Sequence, residues 1–512
     1  MSTLPARPDL DQLRRRAKDL VRAARAGDGA AIARIAAVSR RPTLTAARLA
    51  IAREHGFASW AALKLEIEAR ASRLDAAVEA FCEASVADGS DRAPRMLAAR
   101  PEIATHGLAP ALLLGDVDRV AAALAREPGT AVRVDPRWGW TPLHAVCSSR
   151  WHRFDPSRAA GLTAVARLLL DAGADPSART AGRRGGWTPL RCAVAGAANP
   201  AVVRLLLDAG AVPDEHDLYL ACFGGDGHES LRLLLSRASG VDATTALAAP
   251  ISTDDAEGVR LLLDAGADPR GPLPAELFGE RRDGEPPVPA LNAAITRGCG
   301  TELVELLLAY GADPDSVGPD GRTPHQLAAR RGRADLARLV RRHGGRADAT
   351  ETDLFLSSCL RADRRDATLW VERGRVHVGA LGDDDLATLV RAAADANTEA
   401  VRLMLDLGFD VHARGDDGGT ALHAAAYAGS VDVVRLLLEH GADVAATDPT
   451  WDATPLSWAA VGSGERPARA ARPDWVATAR VLLDAGASAA EVSTDGPKRP
   501  SDEVADLLDA YR

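Results

Sequence analysis

Residues 417–444 read DGGTALHAAAYAGSVDVVRLLLEHGADV. Thr420 is suited to start a helix, because its hydroxyl can accept from an amide that has no partner within the first turn. The run His423–Ala426 then gives a short helix with a small-residue face, against which a neighbouring helix can approach closely. Gly429 ends that helix. A second helix over Val431–His440 follows, with Val431, Val434, Leu437 and Leu438 as its apolar stripe. Gly441 stands where a left-handed stop is needed. A unit of this size cannot bury its own apolar face, so units of this kind must stack.

Self-similarity extends the reading along the chain. LLLDAGADP occurs at 168–176 and again, letter for letter, at 261–269. Close relatives begin at Leu205, Leu306, Leu403, Leu436 and Val481. A second string precedes several of them: TPLH at 141, TPLR at 188, TPHQ at 323, TALH at 420 and TPLS at 454. Proline after the capping Thr fits the first helical position, where no amide hydrogen is needed. The steps Leu306 to Leu339 and Leu403 to Leu436 are each 33 residues.

Cap, core and stop residues recur in phase, and the pattern D-G-x-T-P-L-H-x-A-A followed by V-x-x-L-L-L-x-x-G-A-D resembles the ankyrin repeat. The resemblance implies an all-α helix-turn-helix solenoid with short β-hairpin turns, preceded by a helical N-terminal segment. The clearest copies are 139–176, 186–213, 320–345 and 417–444. In Asp217–Leu235 both the Thr-Pro and the final Gly are lost, and 353–374 and 386–411 keep only helical periodicity. The expected organisation is a basic helical segment at 1–70, about twelve repeats over 77–495 and a capping helix within 496–512. Insertions fall at Arg150–Gly161, Arg270–Pro289 and Gly462–Pro473. Rich in Arg, Pro and Gly, they read as surface loops.

Composition narrows the function classes. The chain has 512 residues, a formal charge of −9 and 46% hydrophobic residues, which suits a folded globular protein. Lysine occurs only at Lys18, Lys64 and Lys498, and the Ala/Arg/Gly/Asp bias suggests a GC-rich, bacterial genome. Six Cys without CxxC pairing do not make a disulfide framework and fit a reducing cytoplasm. MSTLPARPDLDQLRRR has no apolar run of the signal-peptide kind, and no stretch approaches the roughly 18 apolar residues of a membrane span. Residues 1–70 hold 14 basic and 7 acidic residues, a net of +7, which leaves −16 for the remainder. So acidic a body disfavours a general nucleic-acid binder.

The residues offer no ready chemistry. His144 and His423 occupy one repeat position, and in the resembled family that His makes structural bonds between units. Cys147, Cys222 and Cys359 fall at or beside positions of small core Ala. The glycine clusters lack both GxGxxG after a strand and a GK[ST] ending. Asp383–Asp385 reads as a solvated helix start. No HExxH, CxxC or GxSxG signature is present, so no catalytic residue, metal or cofactor is expected.

Aromatic and charged residues before the capping Thr are more telling. They are Arg137, Trp138 and Trp140 before Thr141; Arg183, Arg184 and Trp187 before Thr188; Asp320 and Arg322 before Thr323; Asp417 before Thr420; and Trp451 before Thr454. In the resembled family these positions lie on hairpin fingers that border a concave binding face. Trp and Arg are enriched where interfaces derive most of their energy, although Trp rings between fingers can also serve only to cover the core. The expectation is a monomeric cytoplasmic scaffold or adaptor binding a protein partner, with no membrane contact. The alternative is a nucleic-acid-associated regulator acting through residues 1–70. There Arg14, Arg15, Arg16, Lys18, Arg22 and Arg25 share one helix with Asp9, Asp11 and Asp19, a pattern that also suits a merely solvated face.

Overall fold

A computed structural model of the chain describes residues 10–39, 41–71, 74–87, 91–136, 138–180, 186–274, 286–415, 417–465, 473–492 and 500–511. The protein is a solenoid of short antiparallel helix pairs. The contacts divide it into two compact units. A central unit comprises Glu66–Leu327 and Asp335–Ala347; a terminal unit comprises Met1–Leu65, Ala328–Ala334 and Asp348–Arg512.

The repeat at 417–444 shows how the pattern becomes structure. Helices run over Ala421–Tyr427 and Val431–Glu439. Thr420 and His423 form a capping box, and Gly429 and Gly441 adopt the left-handed backbone that ends each helix. The buried residues of the second helix are Val433, Val434, Leu436 and Leu437, whereas Val431 and Leu438 are half-buried. The expected stripe is therefore rotated and widened. A helix inside a stack is covered by the repeats before and after it, so two flanks are buried rather than one. Burying each of these side chains is worth about 1.5–3 kcal/mol relative to exposure.

The degenerate repeats form regular helices. In the central unit Glu215–Ala221 pairs with Glu229–Leu235. In the terminal unit Glu351–Leu360 pairs with Arg364–Glu372, and Asp383–Ala394 with Thr398–Asp406. Each first helix keeps a cap and, three residues on, an Asp: Asp214 with Asp217, Thr350 with Asp353, and Gly382 with Asp385.

Polar side chains staple adjacent repeats. Nε2 of His144 lies 3.1 Å from the carbonyls of both Ala178 and Trp187, and Nε2 of His423 lies 3.1 Å from that of Ala453. Asn292 donates to the carbonyl of Arg322 at 3.0 Å. In two further repeats an Arg makes the connection. Arg191 pairs with Asp214 at 2.6 Å and Asp217 at 3.0 Å, and the buried Arg330 pairs with Asp353 and Asp385. Asp385 thus receives a buried guanidinium and is more than the solvated helix start read from sequence. Repeats also touch through glycine. A Cβ on Gly161 would lie 2.4 Å from the carbonyl oxygen of Gly115, which is itself left-handed at φ 69°.

The hairpins are minimal. Pro272–Leu273 pairs antiparallel with Val288–Pro289 at the base of one insertion, and single bridges join Asp135 to Trp140 and Arg414 to Thr420. At the N-terminus, helices Leu10–Arg25, Gly29–Ala36 and Leu44–Glu54 pack together around Leu13, Ala17, Ile35, Ala47 and Ile51. Helix Leu44–Glu54 also meets the last helix, Asp502–Tyr511. Arg48 pairs with Asp509 at 3.2 Å, and the Thr45 hydroxyl donates to the Asp506 carbonyl at 3.3 Å. The last helix buries Val504, Leu507 and Leu508.

Candidate functional site

In the central unit the finger before Thr141 folds on itself. The Asp135 amide donates to the Trp140 carbonyl at 2.8 Å, and the Gly139 amide to the Asp135 carbonyl at 2.8 Å. This turn sets the Trp138 and Trp140 rings 5.5 Å apart at 45°, both half-buried. Beside them lies a cavity of about 230 Å³, walled chiefly by Val78, Leu108, Leu112, Trp138 and Trp140. Glu79 and Arg133 are among its polar lining, and Arg133 is ion-paired with Glu127.

The insertion at Arg150–Gly161 supports this region and is not a bare surface loop. Trp151 is 3% exposed. Its indole donates to the Ser85 hydroxyl at 2.9 Å, its ring lies 5.7 Å from Phe81, and the Arg158 guanidinium covers it at 5.2 Å. Phe81 and Ser85 sit on helix Leu74–Val86, the same helix that brings Val78 to the cavity. The insertion thereby braces one cavity wall. A Trp inside the loop was the sequence signal for this packing.

Trp187 is half-buried; its amide donates to the Thr180 hydroxyl at 3.0 Å and its carbonyl faces His144. Asp320 is exposed and pairs with Arg322 at 3.2 Å within one turn. Arg137, Arg183 and Arg184 lie outside the described residues.

In the terminal unit Trp451 stands out at 48% exposure. It meets Trp458 at 5.6 Å and 68°. Trp458 is held on further sides by His423 at 5.4 Å and Tyr427 at 6.1 Å, and its indole donates to Asp448 at 2.9 Å. Asp448 also accepts from the amides of Thr450, Trp451 and Ala453. Burial opposes ionisation of Asp448, but these donors outweigh it and hold the carboxyl below its ordinary range. Asp417 is exposed, and its carbonyl accepts from the Thr450 hydroxyl at 2.9 Å, so it stands on the finger next to that of Trp451. Trp458 and Tyr427 were not singled out in the sequence. The available signal was a bulky Trp458 four residues after Thr454, where Ala424 follows Thr420.

Comparison with known proteins gives these repeats a family. A family model for ankyrin repeats in three copies matches residues 379–468, and a single-repeat model matches 138–181 and 185–217. The chain carries ankyrin repeats. The solved ankyrin repeat domain of human ASB11 is similar at 19% identity, covering 47% of this chain and 97% of that one with a TM-score of 0.22, a level that carries no argument about function. No curated protein matches the sequence.

Within the ankyrin array the conspicuous titratable groups are structural. Nδ1 of His144 lies 2.8 Å from the Thr141 hydroxyl and that of His423 2.9 Å from the Thr420 hydroxyl; burial lowers the pKa of both rings. Burial pushes the Cys222 and Cys359 thiols up to about 12 and that of Cys147 well above the ordinary value. Such thiols are poor nucleophiles. Among the described residues, no group of three or more His, Cys, Asp or Glu could hold a metal ion, and no helix is long and apolar enough to cross a membrane.

Proposed function

We propose that this protein is a cytoplasmic binding scaffold that captures a protein partner on its ankyrin fingers and inner helices, and that it has no catalytic role. Ankyrin repeats generally mediate protein–protein interaction. The observation that carries the reading is the braced cavity beside Trp138 and Trp140. A preformed apolar recess of about 230 Å³ matches one large partner side chain, and its rigid walls spare the ordering cost that flexible sites bear on binding. Trp451 on its Trp458 platform is a second anchor in the terminal unit, supported by Asp417 on the adjoining finger. Trp187 offers a further aromatic contact, and the Asp320–Arg322 pair adds polar selectivity elsewhere along the fingers.

The test compares wild type with Trp138→Ala/Trp140→Ala and with Trp451→Ala, all checked for equal thermal stability, in affinity capture followed by quantitative mass spectrometry. The scaffold reading expects a protein that wild type retains and at least one variant loses. A set of captured proteins unchanged across all three would remove these fingers from the interface.

A further inference from the structure

The first helix, Leu10–Arg25, is amphipathic in an unusual sense, because its apolar side is already used. Leu13, Ala17, Leu20, Val21 and Ala24 are buried, and the helix packs on Gly29–Ala36 and Leu44–Glu54. Arg14, Lys18, Arg22 and Arg25 follow at spacings of four, four and three residues, which places them along one face with Arg15 beside them. All five are exposed. The row is about 16 Å long by the 1.5 Å helical rise.

Three carboxylates of the N-terminal helices have local partners, one of them a member of the row. Asp19 pairs with Arg22 at 2.9 Å, Asp28 caps the next helix through the amides of Ala30 and Ala31, and Glu54 takes Arg34 at 2.7 and 2.8 Å. Arg41 and Arg53 add further exposed cations. With Arg22 paired to Asp19, Arg15, Lys18 and Arg25 keep this face positive on a chain whose residues beyond 70 carry −16.

We infer that this face docks an acidic polypeptide segment, an interaction separate from the one proposed for the fingers. Three observations choose that occupant over other polyanions. Firm attachment to a lipid surface adds an inserted apolar helix face to charge attraction, and here that face is buried in the protein. Single-stranded nucleic acid needs stacking platforms, and LDQLRRRAKDLVRAAR contains no aromatic residue. Four of the five cations in the row are Arg, whose planar fork binds carboxylates in pairs.

The experiment uses the full chain and fluorescence anisotropy with three probes: a labelled oligoglutamate peptide long enough to span the row, duplex DNA of equal charge, and phosphatidylserine vesicles. Binding of the peptide should weaken steeply between about 50 and 200 mM salt. Lys18→Glu/Arg25→Glu should lower peptide affinity by about tenfold or more. Arg402→Glu/Arg435→Glu changes the net charge equally on exposed residues outside the helix and should leave affinity within about twofold. Circular dichroism verifies that both variants fold. The inference is overturned if the peptide does not bind at low salt, if both double variants lose affinity equally, if Lys18→Glu/Arg25→Glu has no effect, or if DNA or vesicles bind more tightly than the peptide. Trp138→Ala/Trp140→Ala and Trp451→Ala leave this face intact, so the two readings fail independently.

Discussion

Asp506→Asn should stabilise the contact between the two ends of the chain. Asp506 lies on the last helix, on the side that meets helix Leu44–Glu54. Burial pushes its carboxyl up to about 6 from an ordinary 3.8. Arg48 favours the ionised form, while Asp502, Asp509 and Glu503 oppose it. A difference of about two units at 1.36 kcal/mol per unit makes the ionised carboxylate a burden of about 3 kcal/mol at pH 7. The folded-state value is the raised one, so this group's contribution to stability is fully present below about pH 4 and is lost as pH rises through about 6. Asparagine removes the charge and leaves the Thr45 bond, which goes to the backbone carbonyl. The expected gain is about 1–3 kcal/mol at pH 7, shrinking towards zero at pH 4. Hydrogen exchange of peptides covering Leu44–Glu54 and Asp502–Tyr511, read by mass spectrometry at both pH values, isolates this contact from the rest of the array. Lower protection at pH 7, or an equal gain at both pH values, would refute the reasoning.

Other perturbations probe the staples and the close contacts. His423→Ala orphans the Thr420 amide, removes one of the two donors to the Ala453 carbonyl and leaves a cavity, so urea unfolding should show a loss of about 2–4 kcal/mol; a loss under about 1 kcal/mol would mean that the ring does not join the repeats. Arg191→Met leaves the buried Asp217 carboxylate unpaired and should cost about 3–5 kcal/mol, with Asp217→Asn in the same chain restoring part of it. Gly462→Ala would place a Cβ 2.2 Å from the Tyr427 carbonyl oxygen, and the required backbone shift should cost about 1–3 kcal/mol, read as a lower melting temperature. Cys222 and Cys359, with thiols pushed up to about 12, should resist iodoacetamide at pH 8 in the folded chain and react once it is unfolded; prompt labelling of the folded chain would contradict that environment.

What could be read from sequence follows from which forces are local. Thr420, His423, Gly429 and Gly441 act within a few residues of themselves, so their spacing announces both helices and their ends. The caps of the degenerate repeats are equally local, but Asp214 and Asp217 make the box without Thr or Pro, and at Gly382 only the Asp385 carboxylate contributes, so neither carries the Thr-Pro string. Other features depend on partners distant along the chain. Arg330 shows its purpose only when Asp353 and Asp385 are brought to it. Trp151 sits in a stretch with a loop's composition, and only Phe81 and Ser85 make it core. The finger residues were legible as residues on fingers, while the platform beneath Trp451 required knowing that Trp458 rises beside it.

The contact between Thr45 and Asp506 joins positions 461 apart in the sequence. During synthesis at roughly 5–20 residues per second, helix Leu44–Glu54 waits on the order of half a minute to a minute and a half before its partner leaves the ribosome. Most contacts in a stack of repeats form as soon as the next repeat emerges, but this one waits for a helix far along the chain. The N-terminal helices are therefore a nascent surface first and a docked element only afterwards. A chaperone or a protease acting on the growing chain meets them in a state that the finished protein no longer presents.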